Sequence, residues 1–400
     1  MSEGAVYALV ATSLFFPTSW DGQIYQGLVV ACFGAQIAFL CVIALRRGID
    51  VLGLSLLAAT LGLLFAFTLF SRREEYALGA ALQYGAPLLL FASRIPPGMA
   101  MHRGAARFVA FFGAVNFILL IYGFAIASDV HSANLLTRSI YSAFYDQLYE
   151  HMVAWFHKPV TVFATHSIAA FAAFVLFLAN LFLYRGRGDA VFLLFGLSQL
   201  VILVLLKSVS AIGFLGLSLV VLAVLQRGLL RALGFTLIVC AFAVAFWYRQ
   251  LLIDAWTILA STEGGFIGRY SEGAPLGRTI HYILQHPLAP IGLEFNRDVF
   301  YGDSGIIEYL VRGSVPLLLI MYASLWLFLR RFIDRVGVRL GVFSAIVLFE
   351  TGYTILTYYR TTGLLVLLCL AYVASRPRLR LRSHEPGAAK PHTVGERAPQ

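Results

Sequence analysis

A chain of 400 residues that is 60% hydrophobic and only 12% charged, with a mean hydropathy of +0.82, has the composition of an integral membrane protein rather than of several soluble domains. Its net charge of +10 points to anionic lipid or nucleic acid, and the absence of any RNP, zinc-finger or helix-turn-helix pattern argues against nucleic acid. A crossing helix takes about 20 mostly apolar residues. The apolar runs predict twelve such helices, over roughly 4–17, 24–45, 50–70, 76–93, 107–127, 160–184, 190–206, 209–226, 232–248, 306–329, 339–356 and 360–375. The expected fold is all-α, a polytopic membrane helix bundle.

Basic residues prefer the cytoplasmic side of a membrane. With the N-terminus inside, the inner turns carry Arg46 and Arg47, then Arg94, Arg103 and Arg107, Arg185 and Arg187, Arg227 and Arg231, and Arg330, Arg331, Arg335 and Arg339. Together with the tail from Arg376 they hold 19 of the 30 Lys and Arg, which places both termini inside. Five of the remaining cations gather between Arg249 and Arg312, four of them in the larger of two long outer connections, 128–159 and 249–305. A 57-residue outward loop is long enough to carry function. Residues 1–375 read as one transmembrane domain, and 376–400 as a Pro-, Gly- and Arg-rich cytoplasmic tail, disordered, with its basic start against anionic headgroups. Cys32, Cys41, Cys240 and Cys369 sit in apolar runs without disulfide or metal-ligand spacing. The opening "MSEGAVYALVATSLFF" lacks a basic flank and a small-residue cleavage site, so the N-terminus is expected to stay on the protein.

The polar residues concentrate on the outer side. "FIGRYSEGAPLGRTIHYILQHPLAPIGL" supplies Arg269 and Arg278, then an amphipathic stretch with Ile280, Ile283 and Leu284, stopped by Pro287 and Pro290. That pattern predicts a short helix on the outer face, either a plain interfacial helix with a snorkelling Arg or one that aims Arg278 at the bundle. In "YGDSGIIEYLVRG", Asp303 or Ser304 can cap the next membrane helix. Asp303 equally suits a carboxylate held at the water–lipid boundary to take a proton from a substrate hydroxyl. Glu308 and Arg312 lie four apart on one helix face, which predicts an internal ion pair facing the bundle or a cavity. Lys207, between two apolar runs, is either a snorkelling lysine or a point charge for a phosphate. Lys158 opens a helix, His166 follows two turns in, and Tyr358, Tyr359 and Arg360 mark the last outer turn, where an aromatic belt with a snorkelling Arg is the plain reading. Taken together, these residues describe a pocket for a multiply charged anion beside a carboxylate. No Asp-x-Asp, Walker loop, HExxH or GxSxG is present, so nucleotide-dependent and hydrolytic chemistries of those kinds lack support.

The order of these parts resembles the Wzy-type O-antigen and exopolysaccharide polymerases of the O-antigen polymerase/ligase superfamily, membrane glycosyltransferases of the GT-C kind. The shared parts are "KPVTVFATHSIAAF" opening a middle helix, the basic residue of "LKSVS" at an outer turn, and the large outer loop before the last three helices. Within that loop "GR" followed by "HPLAPIGL", and then "DSGIIEYLVRGSVPLLLIMY", are similar to the family's loop and its return to the membrane. The resemblance implies a cofactor- and metal-free transfer of a glycan from an undecaprenyl-pyrophosphate-linked oligosaccharide to an acceptor, on the periplasmic face of a bacterial inner membrane. It also implies a chain-length regulator and a flippase as partners. On this resemblance Lys207 and Arg278 hold the pyrophosphate and Asp303 assists the acceptor; the reading of the residues themselves adds Arg269, His166, Lys158, His281, Arg312 and Arg360 as the wider substrate-binding set. The chain departs from the pattern in having Lys207 in place of an arginine, Pro290-Ile291-Gly292 in place of a fuller Gly-x-Gly, and Asp303 where ligases have a histidine. The last departure favours polymerase over ligase. A transporter of lipid-linked glycans is the rival from another class.

Overall fold

The computed structural model describes residues 2–14, 23–70, 78–95, 106–115, 166–206, 209–224, 268–287, 289–294 and 304–376, with the isolated positions 118 and 253. Among them every regular element is a helix, and the single β-bridge joins Ile49 to Ser93. In chain order the helices are α1 (Ser2–Leu14), α2 (Gln23–Arg47), α3 (Val51–Phe70), α4 (Leu78–Ala92), α5 (His166–Arg187), α6 (Ala190–Leu205) and α7 (Val209–Val224). A 3-10 turn (Gly268–Tyr270) then leads to α8 (Pro275–Gln285), α9 (Gly305–Phe332), α10 (Val336–Gly352) and α11 (Tyr359–Ala374). A further helical run, Ala106–Val115, lies between α4 and α5. These spans follow the apolar runs of the sequence closely. The predicted helix over 232–248, the loop 128–159 and the tail beyond 376 lie outside the described residues.

Three helices are long and apolar enough to cross a membrane: Val51–Leu69, Ile168–Arg187 and Gly305–Phe332, with mean hydropathies of 2.2, 1.9 and 1.6. Four others, Ala81–Ala92, Ala106–Val115, Ala190–Leu203 and Thr361–Ala374, are apolar but shorter. Among the described residues three helices are of crossing length, where the hydropathy pattern predicts twelve along the whole chain.

Turn chemistry repeats at two hairpins. After "RRG", Gly48 adopts φ 80° and its N–H returns to Ala44 O (2.7 Å). After "RGRG", Gly188 adopts φ 72° and bonds Tyr184 O (2.7 Å). Left-handed glycine closes each helix. The acid that follows opens the next one: Asp50 Oδ2 accepts from Gly53 N (3.2 Å), and Asp189 Oδ1 accepts from Val191 N (3.1 Å), each satisfying a backbone donor left over at a helix start.

Two helices are apolar on every side and therefore central. The stretch 168–179 of α5 and residues 361–374 of α11 are buried throughout. α11 packs on α5, α1, α4 and α9, while α9 packs on α3, α4, α8 and α10. Phe349 of α10 meets Phe171 and Phe174 of α5 and Phe214 of α7 at ring separations of 5.0–5.5 Å, a geometry favourable beyond area burial alone. Outward, Val51, Leu52, Phe65 and Leu69 of α3 and Val191, Leu194 and Leu197 of α6 are exposed, as an apolar helix surface facing lipid is.

Candidate functional site

The polar insert of the sequence builds a docked helix. Pro275 starts α8 at its first position, where a missing N–H costs nothing. Leu276 and Thr279 are buried, Tyr282 and Ile283 are half-buried, and Arg278, His281 and Gln285 are exposed together on the opposite face. The helix ends at His286, before Pro287, as the sequence pattern predicts. When His281 Nε2 carries no proton it accepts from Gln285 Nε2, 2.7 Å away, which orients the imidazole. At the other end of this unit the Tyr270 hydroxyl donates to the carbonyl of Thr351, so the turn carrying half-buried Arg269 is tied to α10.

What α8 docks against is a break in α9. Ser304, not Asp303, caps this helix, its hydroxyl accepting from Ile307 N (3.5 Å). About two turns of regular helix follow, and then Gly313 (φ −146°, ψ 15°) and Ser314 (φ 56°, ψ −161°) leave helical geometry. The cause is in the sequence: Pro316 has no N–H to give to the carbonyl of Arg312 four residues back, and Gly313 yields easily. The released carbonyls are taken by the loop that follows α8. Ile291 N donates to Val311 O (2.9 Å) and Gly292 N donates to Arg312 O (3.0 Å). Non-helical backbone at this depth is tolerated where protein satisfies it.

The loop is also pinned from behind. Leu293 N donates to Thr68 Oγ1 (2.8 Å), while Thr68 Oγ1 donates to Leu64 O (2.7 Å). Gly292 has φ 58°, and a Cβ there would fall 2.6 Å from Leu64 O and 2.7 Å from Thr68 N, so only glycine lets the loop approach α3.

Three carboxylates at this end are buried, Glu294, Glu308 and Glu350. Glu308 pairs with Arg312, Oε1 to Nε 3.5 Å, with side chains only 5% and 3% exposed; the Thr357 hydroxyl donates to Glu308 Oε2 (3.5 Å). The spacing-based expectation of an internal ion pair is met. Arg312 Nη1 also donates to Gly292 O (2.8 Å) and Glu294 O (3.4 Å). Glu350 Oε1 accepts from the Tyr309 hydroxyl (2.7 Å), Ile355 N (3.0 Å) and Leu356 N (2.7 Å), and Oε2 from the Tyr322 hydroxyl (3.2 Å). A carboxylate this well supplied with donors ties the start of α9 to the turn between α10 and α11.

Of the residues singled out from sequence, Arg278 and His281 come together on one exposed face, with Arg269 in the adjoining turn. Arg312 stands apart from them, its guanidinium turned inward to Glu308 and the loop carbonyls. His166 begins α5 and Arg360 lies in the first turn of α11, whereas Asp303, Lys207 and Lys158 lie outside the described residues. Sequence reasoning missed Thr68, Tyr309 and Tyr322. "RGSVP" was the available signal for the break, since Gly and Pro three apart in a membrane helix mark one. Among the described residues no group of three or more His, Cys, Asp or Glu is placed to hold a metal. No family model matches this sequence, and no curated protein matches it either.

Proposed function

We propose that the chain is a membrane glycosyltransferase that joins lipid-pyrophosphate-linked oligosaccharide units into a polysaccharide. The observation that carries this reading is the exposed face of α8, where Arg278 and His281 stand on a helix tied to the bundle at both ends. A cation fixed at the surface of an apolar bundle suits a substrate whose charged head lies in water and whose tail lies in lipid. An acceptor sugar hydroxyl attacks the donor anomeric carbon, forming a C–O bond as the bond from that carbon to the phosphate oxygen breaks. The hydroxyl proton passes to a base, the role assigned to Asp303, and the electron pair leaves on undecaprenyl pyrophosphate. Arg278 and Lys207 stabilise the charge that grows on that leaving group. Removing one such contact costs on the order of 3 kcal/mol of barrier, or ~100-fold in rate.

The test is reconstitution. Protein in liposomes with undecaprenyl-pyrophosphate-linked oligosaccharide lengthens chains without any ion gradient, and Arg278→Ala lowers the rate by ~100-fold. Wild-type protein that leaves chain length unchanged refutes the reading. One observation favours a second function, a transporter of lipid-linked glycans: a membrane helix broken at Gly313–Ser314, with buried Glu350 bonded by its Tyr309 and Tyr322, is like the discontinuous helices of transporters. Gradient-dependent movement of the donor across the bilayer, with no elongation, would select it. A ligase would instead transfer the glycan to a lipid A core acceptor and not to a second repeat unit.

A further inference from the structure

Arg312 is a poor contact for a substrate phosphate and an uneconomical way to stabilise a helix. Its side chain is 3% exposed, and a buried ion pair is commonly replaced by packed hydrophobic residues without loss of stability. What a guanidinium adds at this position is reach. Nη1 bonds two carbonyls, Gly292 O and Glu294 O, that lie 20 and 18 residues earlier in the chain. The same loop returns the contact, with Gly292 N on Arg312 O. Loop and broken helix are therefore clasped in both directions, and Ile291 packs there with Val311 and with Tyr282 and Ile283 of α8. Tyr282 lies one turn from Arg278, so the loop sets the roll of α8 about its own axis.

We propose that Arg312 is a positioning residue that acts through α8, holding the 289–294 loop in the break of α9 so that Arg278 and His281 face the substrate. The proposal rests on reading that face as the substrate face. Thr68 is the second anchor of the same device, from the α3 side.

The experiment uses full-length protein in nanodiscs and undecaprenyl pyrophosphate as the probe, with inorganic pyrophosphate in parallel to separate the lipid from the free anion. Arg312→Lys keeps a charge near Glu308, but its single Nζ cannot hold Glu308 and the two loop carbonyls at once, as Nε and Nη1 do. It is expected to weaken binding of the lipid by about tenfold, and to weaken it no further when Arg278→Ala is already present, because residues acting as one unit are non-additive. Amide exchange at Ile291 and Gly292 is expected to quicken while that of α5 stays unchanged. Thr68→Val, which leaves the ion pair intact, is expected to reproduce both effects should Arg312→Lys fold poorly. Equal losses with and without Arg278, or unaltered exchange at 291 and 292 in both variants, would overturn the proposal. Wild-type protein that binds neither probe refutes the substrate-face reading, and this proposal with it. Wild-type binding that neither variant weakens refutes the proposal alone.

Discussion

The two ends of the bundle use the same ingredients to different effect. At one end Arg331 pairs with Asp50 (2.9 Å), with side chains 22% and 32% exposed, and donates to the carbonyls of Phe91 (2.6 Å) and Ser93 (3.1 Å). Arg376 pairs there with Asp334 (3.1 Å; 39% and 62% exposed), donates to Phe332 O (2.5 Å) and lies over the ring of Tyr372. These cations close helix C-termini, where the backbone offers unpaired carbonyls and the helix dipole is negative. At the other end the Glu308–Arg312 pair is nearly closed to water, and its arginine bonds a loop instead of a helix terminus. The wet end tolerates change because solvent replaces what is lost. The dry end has no such reserve, and its charges fix the position of a neighbouring element.

The contrast can be broken by substitution. Glu308→Ala leaves a buried guanidinium without its counter-charge and is expected to cost about 3–5 kcal/mol, measured by thermal unfolding in detergent. Glu308→Leu with Arg312→Met should recover most of that loss, since a packed apolar pair removes the uncompensated charge. Gly292→Ala is expected to cost about 1–3 kcal/mol, because a left-handed backbone is strained for alanine and its Cβ meets the backbone of α3. Asp50→Asn, at the wet end, should cost only about 0.2–1 kcal/mol and should fade in high salt. A loss at Asp50 as large as that at Glu308 would erase the distinction.

The smallest expected effect is a pH dependence at the wet end. Partial burial alone would raise the Asp334 carboxyl. The Tyr372 hydroxyl bond, the Arg376 guanidinium and the N–H of Arg335 outweigh it and hold the group below its ordinary value of 3.8. A carboxyl depressed in the folded protein contributes stability that is complete above its unfolded value and is lost as pH falls through the folded one. Asp334→Asn should therefore lose a small, constant increment of stability above about pH 5 and lack the shallow acid limb that the wild type shows as pH falls below 3.8. Exposure of the side chain keeps that limb shallow.

Local features were the legible ones. Helix spans followed from apolar runs, α8 and its stop from "PLGRTIHYILQHP", and the Glu308–Arg312 pair from a spacing of four, because each depends on residues close in the chain. The pinning of Leu293 by Thr68 joins positions 225 residues apart, and nothing in either segment names the other. Likewise Glu350 lies in α10, but its partners Tyr309 and Tyr322 come from α9 and are set by packing. The exposed pairing of Arg278 with His281 was readable as i, i+3 on an amphipathic helix. The inward turn of Arg312 towards the 289–294 loop was not, since it follows from a break that releases backbone carbonyls.

That break also measures the helix against a bilayer. From Ser314 to Phe332 there are 19 residues, which at about 1.5 Å each reach ~28 Å, close to the ~30 Å thickness of a hydrocarbon layer. The eight residues from Gly305 to Arg312 are thus surplus to a crossing, and they are the ones that carry Glu308 and Arg312. The kink lets the stretch that enters lipid be free of charge until Arg330 and Arg331, at its far end. A crossing by this stretch needs no charged side chain at the centre of a membrane, and Gly313 and Ser314 mark where the crossing length begins.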